Sequence, residues 1–313
     1  MEIHHQLDQS FHIPNPILTI GTFDGVHLGH QKIISRLNEE AQKHQGSSVL
    51  FTFHPHPRMV LNPENHGLQL LQTQEEKMAK LERNGLDHTI IYPFTKDFAQ
   101  TQASDFVTRF LIEKLGVHTI VVGYDHQFGK NREGSLEQLI ELSGKHGFRV
   151  IEIPAHEIDE INISSTKIRQ ALLSGDIDTA NKFLNEAYEI SGIVEKGRQL
   201  GREIGFPTAN LQLTDPNKLI PKHGVYAVRV KRKNGTAFDG MMNIGFKPSV
   251  STEKKLSCEV HLLDFEGDLY DENISVSLLK RIRDEQRFEN LQGLREQIAQ
   301  DEGLIRSFFA ASL

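Results

Sequence analysis

The stretch "TIGTFDGVHLGH", Thr19 to His30, joins an apolar run to a segment with helical periodicity. The run "ILTI" (Ile17–Ile20), which leads into this stretch, is continuous and partly β-branched, as is typical of a strand buried on both faces. Beyond it, Ile33, Ile34, Leu37 and Ala41 recur at the spacing of one helix face. A strand, a glycine-rich turn and a helix in this order predict the first unit of a parallel α/β sheet.

The same rhythm continues through the first half of the chain. Apolar or β-branched runs at Ser48–Phe53, His88–Phe94, Thr119–Asp125 and Arg149–Pro154 alternate with helical patterns. "TQEE", from residue 73, is typical of a helix capping box. The alternation predicts a doubly wound, Rossmann-like α/β domain with a parallel sheet.

The pattern changes after about residue 187. Short strand-like runs such as "YEISGIV", "GVYAVRVKR" and "SCEVHLLDF" follow one another with glycine turns between them, and Asn234-Gly235 favours a tight hairpin. A last helical pattern runs from about Asn290 to Phe309. We therefore predict a C-terminal antiparallel, Greek-key-like β-barrel with a terminal helix, and domains at 1–186 and 187–313.

Composition limits the class of protein. The chain has 313 residues, of which 38% are hydrophobic and 25% charged, as expected for two soluble globular domains. Its formal net charge of −7 does not favour a nucleic-acid partner, and it contains no long apolar run that predicts a membrane span. One cysteine, Cys258, excludes a disulfide within the chain, and the N-terminus lacks a signal-peptide pattern, so we expect the cytoplasm.

The glycines of the loop match neither familiar phosphate-binding template. Gly21, Gly25 and Gly29 are four apart, whereas the dinucleotide fingerprint is G-x-G-x-x-G. The nearest P-loop match, "GYDHQFGKN", has one residue too many. The loop nevertheless precedes a helix N-terminus, which attracts anions, so His27 and His30 could converge on one phosphate and stabilise charge in a transition state.

Two alternatives remain open for these histidines on spacing alone. They can be incidental members of a glycine-rich turn. They can also bind zinc together with His54 and His56, although no Cys or Glu stands at a standard zinc spacing.

Further motifs indicate a family for the first half. "GTFDGVHLGH" resembles the H-x-G-H signature of the nucleotidyltransferase superfamily, and "FTFHPHP", "GYDHQFGKNREG" and "ISSTKIR" resemble the other blocks of the bacterial FAD synthetase domain. The resemblance implies that His27 and His30 hold the ATP phosphates while AMP is transferred. It implies a flavin-side loop at His54, Pro55 and His56. The implied ATP-binding residues are Gly21, Phe23, His27, His30, Asp125, Ser164, Ser165, Thr166 and Arg169.

Some of these residues also have plain structural explanations. Ser164 or Ser165 can simply cap the helix that follows. Arg169 can lie on a solvated helix face, and Asp125 can cap a strand end. The family often has Phe where this chain has His126.

The second half resembles the riboflavin kinase domain through "GIVEKGRQLGREIGFPTANL", "GVYAV", "NIGFKPS", "EVHLLDFEGDLY" and "RIRDEQRF". The two halves together resemble the bifunctional bacterial riboflavin kinase/FAD synthetase family. That resemblance implies that the C-terminal domain phosphorylates riboflavin to FMN, and that the N-terminal domain adenylylates FMN to FAD with release of pyrophosphate. ATP and Mg²⁺ are implied for both steps.

The same resemblance assigns roles in the second half. Glu259 is the implied general base for the riboflavin hydroxyl, and Thr208 with Asn210 is the implied Mg²⁺ site. Arg283 and Phe288 are implied flavin contacts, although Phe288 can equally anchor the terminal helix. The implied ATP-binding residues of this domain are Lys196, Gly197, Arg198, Gly205, Pro207, Thr208 and Asn210.

Two other functions compete with this interpretation. One is a nucleotidyltransferase acting on a phosphopantetheine or polyol phosphate, which the "PTAN" β domain does not favour. The other is a non-catalytic flavin-binding regulator. The sequence leaves the oligomeric state open.

Overall fold

The computed structural model describes residues 1–5, 7, 12–63, 67–124, 127–130, 133–154, 163–197, 200–247 and 255–311. Predictions for Asp125, His126 and Arg198 lie outside these residues. The chain divides into two compact units, Met1–Ser165 and Thr166–Leu313. The predicted functional boundary at 186/187 stays a prediction.

The first unit contains a six-stranded sheet in which every strand pair is parallel, with strand order β1-β4-β3-β2-β5-β6. The strands are β1 (Glu2–His4), β2 (Pro16–Ile20), β3 (Ser47–His54), β4 (His88–Pro93), β5 (Thr119–Gly123) and β6 (Arg149–Ile153). The predicted parallel sheet is confirmed, and β1 is an additional edge strand. Its three residues, "EIH", form no apolar run, so the sequence pattern gave no signal for it.

Helices cover both faces of this sheet. They are α1 (Leu28–Lys43), α2 (Pro57–Leu61), α3 (Gln74–Arg83), α4 (Ala103–Asp105), which continues as a π-helix over Phe106–Ile112, and α5 (Leu136–His146). Successive side chains of a strand point to opposite faces, so Leu50 and Phe51 of β3 enter different apolar clusters. The predicted Rossmann-like arrangement follows from this two-sided burial.

The second unit is built around a closed antiparallel barrel with strand order β10-β11-β8-β7-β12-β9. The strands are β7 (Tyr188–Glu195), β8 (Ala209–Leu213), β9 (Gly224–Arg232), β10 (Ala237–Lys247), β11 (Lys255–Leu262) and β12 (Asn273–Arg283). The other α-helices among the described residues are α6 (Ser165–Ser174), α7 (Ile177–Leu184), α8 (Leu200–Glu203) and α9 (Leu291–Ala310). The predicted barrel and terminal helix are confirmed.

Local sequence explains a turn and a strand of the barrel. Gly235 has φ of +88°, which lets the chain turn between β9 and β10 as the Asn234-Gly235 pair predicts. Alternating residues of β7 are buried, as expected for a strand with one face in the core. In the described part of the chain, none of the helices is long and apolar enough to cross a membrane.

Candidate functional sites

The first site is the loop between β2 and α1. Phe23 and Val26 have positive φ angles of 48° and 37°, and Gly25 has φ of 92°. The left-handed backbone conformation costs free energy for non-glycine residues, and such strain concentrates at functional sites. The Gly21 amide donates a hydrogen bond to the Phe51 carbonyl at 3.0 Å, which fixes the start of the loop to β3.

Three rings stack on this loop. The His27 and His30 centroids are 3.7 Å apart, and the Phe23 and His30 centroids are 4.4 Å apart. His27 is the N-cap residue of α1, and the described first turn carries neither an acidic residue nor a side-chain cap hydrogen bond. Helix N-termini of this kind offer backbone N–H groups and a positive dipole end to an anion.

A cavity of about 600 Å³ opens beside the loop, and it includes Gly21 and His56 in its wall. Much of its apolar lining is aromatic, from Phe53, Phe94, Phe98, Phe106 and Phe128. His54 and Pro55 are not among its lining residues, although both precede His56 at the end of β3. Aromatic walls of this kind suit a ligand with a planar ring system.

The second site lies in the barrel. Glu259 on β11 pairs with Asn210 on β8 and with Asn243 on β10. Its carboxylate accepts hydrogen bonds from Ser257 Oγ at 2.9 Å and from Thr208 Oγ1 at 3.4 Å. A cavity of about 620 Å³ is shared by Thr208, Asn243, Glu259, His261, Arg283 and Phe288.

A smaller cavity of about 80 Å³ meets the same threonine. It is lined by Arg202, Pro207, Thr208 and Tyr270 among others, so Thr208 borders both cavities. The Glu259 carboxylate lines the larger cavity and accepts the hydrogen bond of this shared threonine.

Comparison with known proteins matches a different family to each half of the chain. The sequence pattern of the FAD synthetase family matches residues 11–167, and that of the riboflavin kinase family matches residues 184–309. The chain belongs to the bifunctional riboflavin kinase/FMN adenylyltransferase family. The Buchnera aphidicola (Schizaphis graminum) member is 39% identical over 298 residues, with 94% of each chain covered.

Other relatives support the same assignment. The Escherichia coli K12 bifunctional riboflavin kinase/FMN adenylyltransferase is 38% identical over 293 residues, covering 94% of this chain and 92% of the relative. A crystal structure described as a macrolide-efflux protein from Streptococcus pneumoniae is 31% identical, with a TM-score of 0.87 over 98% of this chain and 99% of that chain. Both units of this family member thus have a solved counterpart in a single chain.

Burial controls the charge of His30 in this family member. Burial, His27, Lys80 and Lys77 together lower the pKa of His30 well below its ordinary value. The ring is therefore neutral near pH 7 and can donate one N–H hydrogen bond. Among the described residues, no partner bonds to His30 Nδ1.

Two buried lysines of α3 hold the loop from beneath. Lys77 Nζ donates to the Thr22 carbonyl at 3.3 Å and to Thr52 Oγ1 at 3.4 Å, and Lys80 Nζ donates to the Gly25 carbonyl at 3.3 Å. Burial lowers the pKa of Lys77 to about 8, against an opposing effect of Asp24. Sequence analysis missed both lysines because "EEKMAKLER" also fits a solvated charged helix face.

Asp24 and Ser165 complete the loop scaffold. The Asp24 carboxylate accepts a hydrogen bond from the Leu71 amide at 3.0 Å, and Ser165 Oγ donates to the Asp24 carbonyl at 2.9 Å. Ser165 is also the first residue of α6. Ser164 and Ser165 belong to the first unit, whereas Thr166 and Arg169 belong to the second.

Among the predicted ATP-side residues of the second unit, Gly197 lies against Asn210. A Cβ on Gly197 would lie 2.0 Å from Nδ2 of the Asn210 side chain, so a larger residue there would force that side chain to move. Gly205 has φ of +89°, and the Pro207 carbonyl lies 2.7 Å from His261 Nδ1. Lys196 is exposed directly after β7.

Arg283 has a structural partner that sequence analysis did not foresee. Its guanidinium forms a bidentate pair with Asp301 of α9, with Nε–Oδ1 at 2.9 Å and Nη2–Oδ2 at 2.6 Å. Asp301 is 1% exposed, so this pair anchors α9 to β12. Phe288 lines the cavity and is partly buried, which keeps both of its predicted roles open.

Neighbours on β11 also reveal a missed residue. His261 lies two positions beyond Glu259, so both side chains share the face that borders the cavity. The spacing of two residues between Glu259 and His261 in "EVHLL" could have indicated from the sequence that both side chains face the same way. Cys258, between Ser257 and Glu259, is buried, and the alternation of the strand places it on the other face.

Proposed function

We propose that the second unit phosphorylates riboflavin to FMN with ATP and that the first unit adenylylates FMN to FAD with a second ATP. The observation that supports this proposal best is the presence of a separate cavity in each unit. One is bordered by Gly21 and Thr22 of the loop that also carries His27 and His30, and the other is bordered by Thr208 and Glu259. Each cavity of about 600 Å³ is within the size range of small-molecule sites.

In the second unit, Glu259 is the proposed general base. The terminal ribityl hydroxyl of riboflavin attacks the γ-phosphorus of ATP, the bond to the β-phosphate oxygen breaks, and ADP leaves. The hydroxyl proton passes to the Glu259 carboxylate, whose two oxygens are oriented by Ser257 and Thr208. Positioning supplies much of the catalysis in such transfers, so rigid support of the base is important.

In the first unit, the proposed acceptor is the phosphate of FMN. One of its oxygens attacks the α-phosphorus of ATP, the bond to the β-phosphate breaks, and pyrophosphate leaves. Negative charge grows on the α-phosphate oxygens in the transition state. We assign His27, His30 and the N-terminus of α1 to stabilise that charge through N–H hydrogen bonds. Ser164, Ser165, Thr166 and Arg169 remain proposed ATP contacts.

Mg²⁺ is part of the proposal for the second unit. The hydroxyl of Thr208, the amide oxygen of Asn210 and the carboxylate of Glu259 are hard oxygen donors. Asn210 of β8 pairs with Glu259 of β11, and Thr208 stands directly before β8 with its hydroxyl hydrogen-bonded to Glu259. Thr208 and Asn210 would hold the ion, which would neutralise phosphate charge when bound. The proposed compartment is the cytoplasm, since both steps consume ATP and the chain has one cysteine.

Incubation of the protein with riboflavin, ATP and Mg²⁺, followed by chromatography, tests the proposal. We expect FMN and then FAD. A nucleotidyltransferase of another specificity would form neither flavin product, and a non-catalytic regulator would bind flavin without turnover. Absence of both products would overturn the proposal.

A further inference from the structure

Three side chains with metal-binding groups meet at the edge of the first unit's sheet. Glu2 and His4 are the first and last residues of β1, and His88 begins β4. In the parallel register Glu2 pairs with His88, and His4 pairs with Ile90. Residues two apart on a strand share one face, so the register brings these three side chains together.

Their ligand atoms are close enough to share one ion. His4 Nε2 lies 3.1 Å from His88 Nδ1, and Glu2 Oε2 lies 3.6 Å from His88 Nδ1 and 3.8 Å from His4 Nε2. Zinc bonds of about 2.0–2.1 Å in tetrahedral geometry place ligand atoms about 3.3 Å apart. Small side-chain adjustments would therefore bring all three atoms to bonding distance of a central ion.

The donor set identifies the class of metal. Two imidazole nitrogens and one carboxylate suit Zn²⁺ better than Mg²⁺ or Ca²⁺, which prefer oxygen ligands. The His4 and His88 side chains are 20% and 15% exposed, whereas the Glu2 side chain is 74% exposed. The imidazoles are thus held by packing, and the exposed side leaves room for a water as the fourth ligand.

We propose that Glu2, His4 and His88 bind one Zn²⁺ ion that fastens β1 to β4. β1 has only three residues and, within the described chain, hydrogen-bonds only to β4 at the sheet edge. A shared metal would add a link between these strands. His88 begins β4, so the metal lies where the parallel strands start. The phosphate loop follows the last residue of β2, at the end where the strands finish, so the role of the metal is to stabilise the fold.

A second histidine pair in the same unit shows why this site is specific. The His44 and His118 rings are 5.0 Å apart, and Glu40 Oε2 lies 3.6 Å from His44 Nε2. However, Arg149 Nη1 lies 2.7 Å from the same His44 nitrogen. A guanidinium there occupies the ligand atom and repels a cation, so this pair is a matched control.

Calorimetric titration of the chelator-treated full-length protein with Zn²⁺ tests the proposal, together with thermal unfolding. We expect one site per chain. The variants His4→Ala, His88→Ala and Glu2→Gln should each weaken Zn²⁺ binding at least about tenfold, since even second-shell partners of metals have effects of this size. His5→Ala and His118→Ala should keep the wild-type affinity. Zn²⁺ should raise the unfolding temperature of the wild type, and Mg²⁺ at the same concentration should not reproduce this shift.

Glu2→Gln keeps the proposal testable if a histidine variant does not fold, because an exposed carboxylate can be neutralised without disturbing packing. Retained FMN adenylylation confirms that the first unit of each variant is folded. Unchanged Zn²⁺ affinity in Glu2→Gln and His88→Ala would overturn the proposal. So would equal losses in His5→Ala, or the absence of a stoichiometric site in the wild type.

Discussion

The imidazole rings of His27 and His30 stack with their centroids 3.7 Å apart at the N-terminus of α1. Burial is the main reason that the pKa of His30 is lowered, and the stacked His27 ring lowers it further, because two stacked rings cannot both carry a positive charge at low cost. The site therefore offers an anion neutral N–H donors and helix amides. Positive charge comes from the helix dipole and from Lys77 and Lys80 beneath the loop.

His30→Asn should slow FMN adenylylation by about 10²–10³-fold, because it removes a donor to the charge that develops on the α-phosphate. Riboflavin phosphorylation should keep its wild-type rate. Rates of both steps, measured with saturating ATP, check this expectation. His118→Asn, a partly buried histidine elsewhere in the first unit, is the control, and an equal loss of adenylylation in that variant would contradict the assigned role.

His30 should contribute no ionisation near pH 6.5 to the pH profile of adenylylation. The wild-type ring of His30 is already neutral there, because burial and its cationic neighbours lower its pKa well below that value. Measurement of kcat between pH 6 and 8 checks this point. A step in kcat centred at pH 6.5 that disappears in His30→Asn would show that the ring titrates normally.

Lys77→Met should change how stability depends on pH. The pKa of Lys77 is about 8 in the folded protein against 10.5 ordinarily, so the unfolded chain binds the proton more strongly. Between these pH values the wild type should therefore gain about 3 kcal/mol of stability relative to Lys77→Met. Denaturant unfolding of the first unit at pH 7.5 and pH 10.5 measures the difference.

The matched control for this experiment is Lys145→Met, which removes an exposed lysine of α5 that pairs with Glu141. Its stability should follow the wild-type pH dependence. Lys77→Met should also slow adenylylation, since the Thr22 carbonyl loses its donor. If the stabilities of Lys77→Met and Lys145→Met depend on pH in the same way, Lys77 is not buried as described.

Asp301→Asn should destabilise the second unit by about 3–5 kcal/mol, because it leaves the Arg283 guanidinium without its buried partner. Asp264→Asn breaks another bidentate Arg–Asp pair, with Arg306, but that carboxylate is 76% exposed. Its effect should be much smaller, because water replaces the lost contact. Urea unfolding of both variants checks the ranking, and equal effects would contradict it.

Periodicity alone predicted most of the fold. Buried parallel strands carry continuous apolar runs and barrel strands alternate, so both domains were recognisable from the sequence. The edge strand Glu2–His4 was missed because its three residues are too few to show the alternation of polar and apolar side chains that marks a strand. Its pairing depends on contacts with β4, which are distant in sequence.

The site predictions rest on residue types and spacings that indicate a particular chemistry. His27, His30, Thr208 and Glu259 stand in motifs, whereas the phenylalanines that line the first cavity read equally well as core residues. Which of them border a cavity depends on tertiary packing. The partner of Arg283 is likewise 18 residues away on another element, so its ion pair could not be read from local sequence.

The most direct measurement of the two-site account uses a pair of variants, Glu259→Gln and His30→Asn. Glu259→Gln alone should form no FMN from riboflavin but should convert added FMN to FAD, and His30→Asn alone should stop at FMN. A mixture of the two variants with riboflavin, ATP and Mg²⁺ should restore FAD. Glu296→Gln, on the exposed face of α9, should complete both steps unaided. FAD formation by either variant alone, or none by the mixture of folded proteins, would contradict separate sites in the two units.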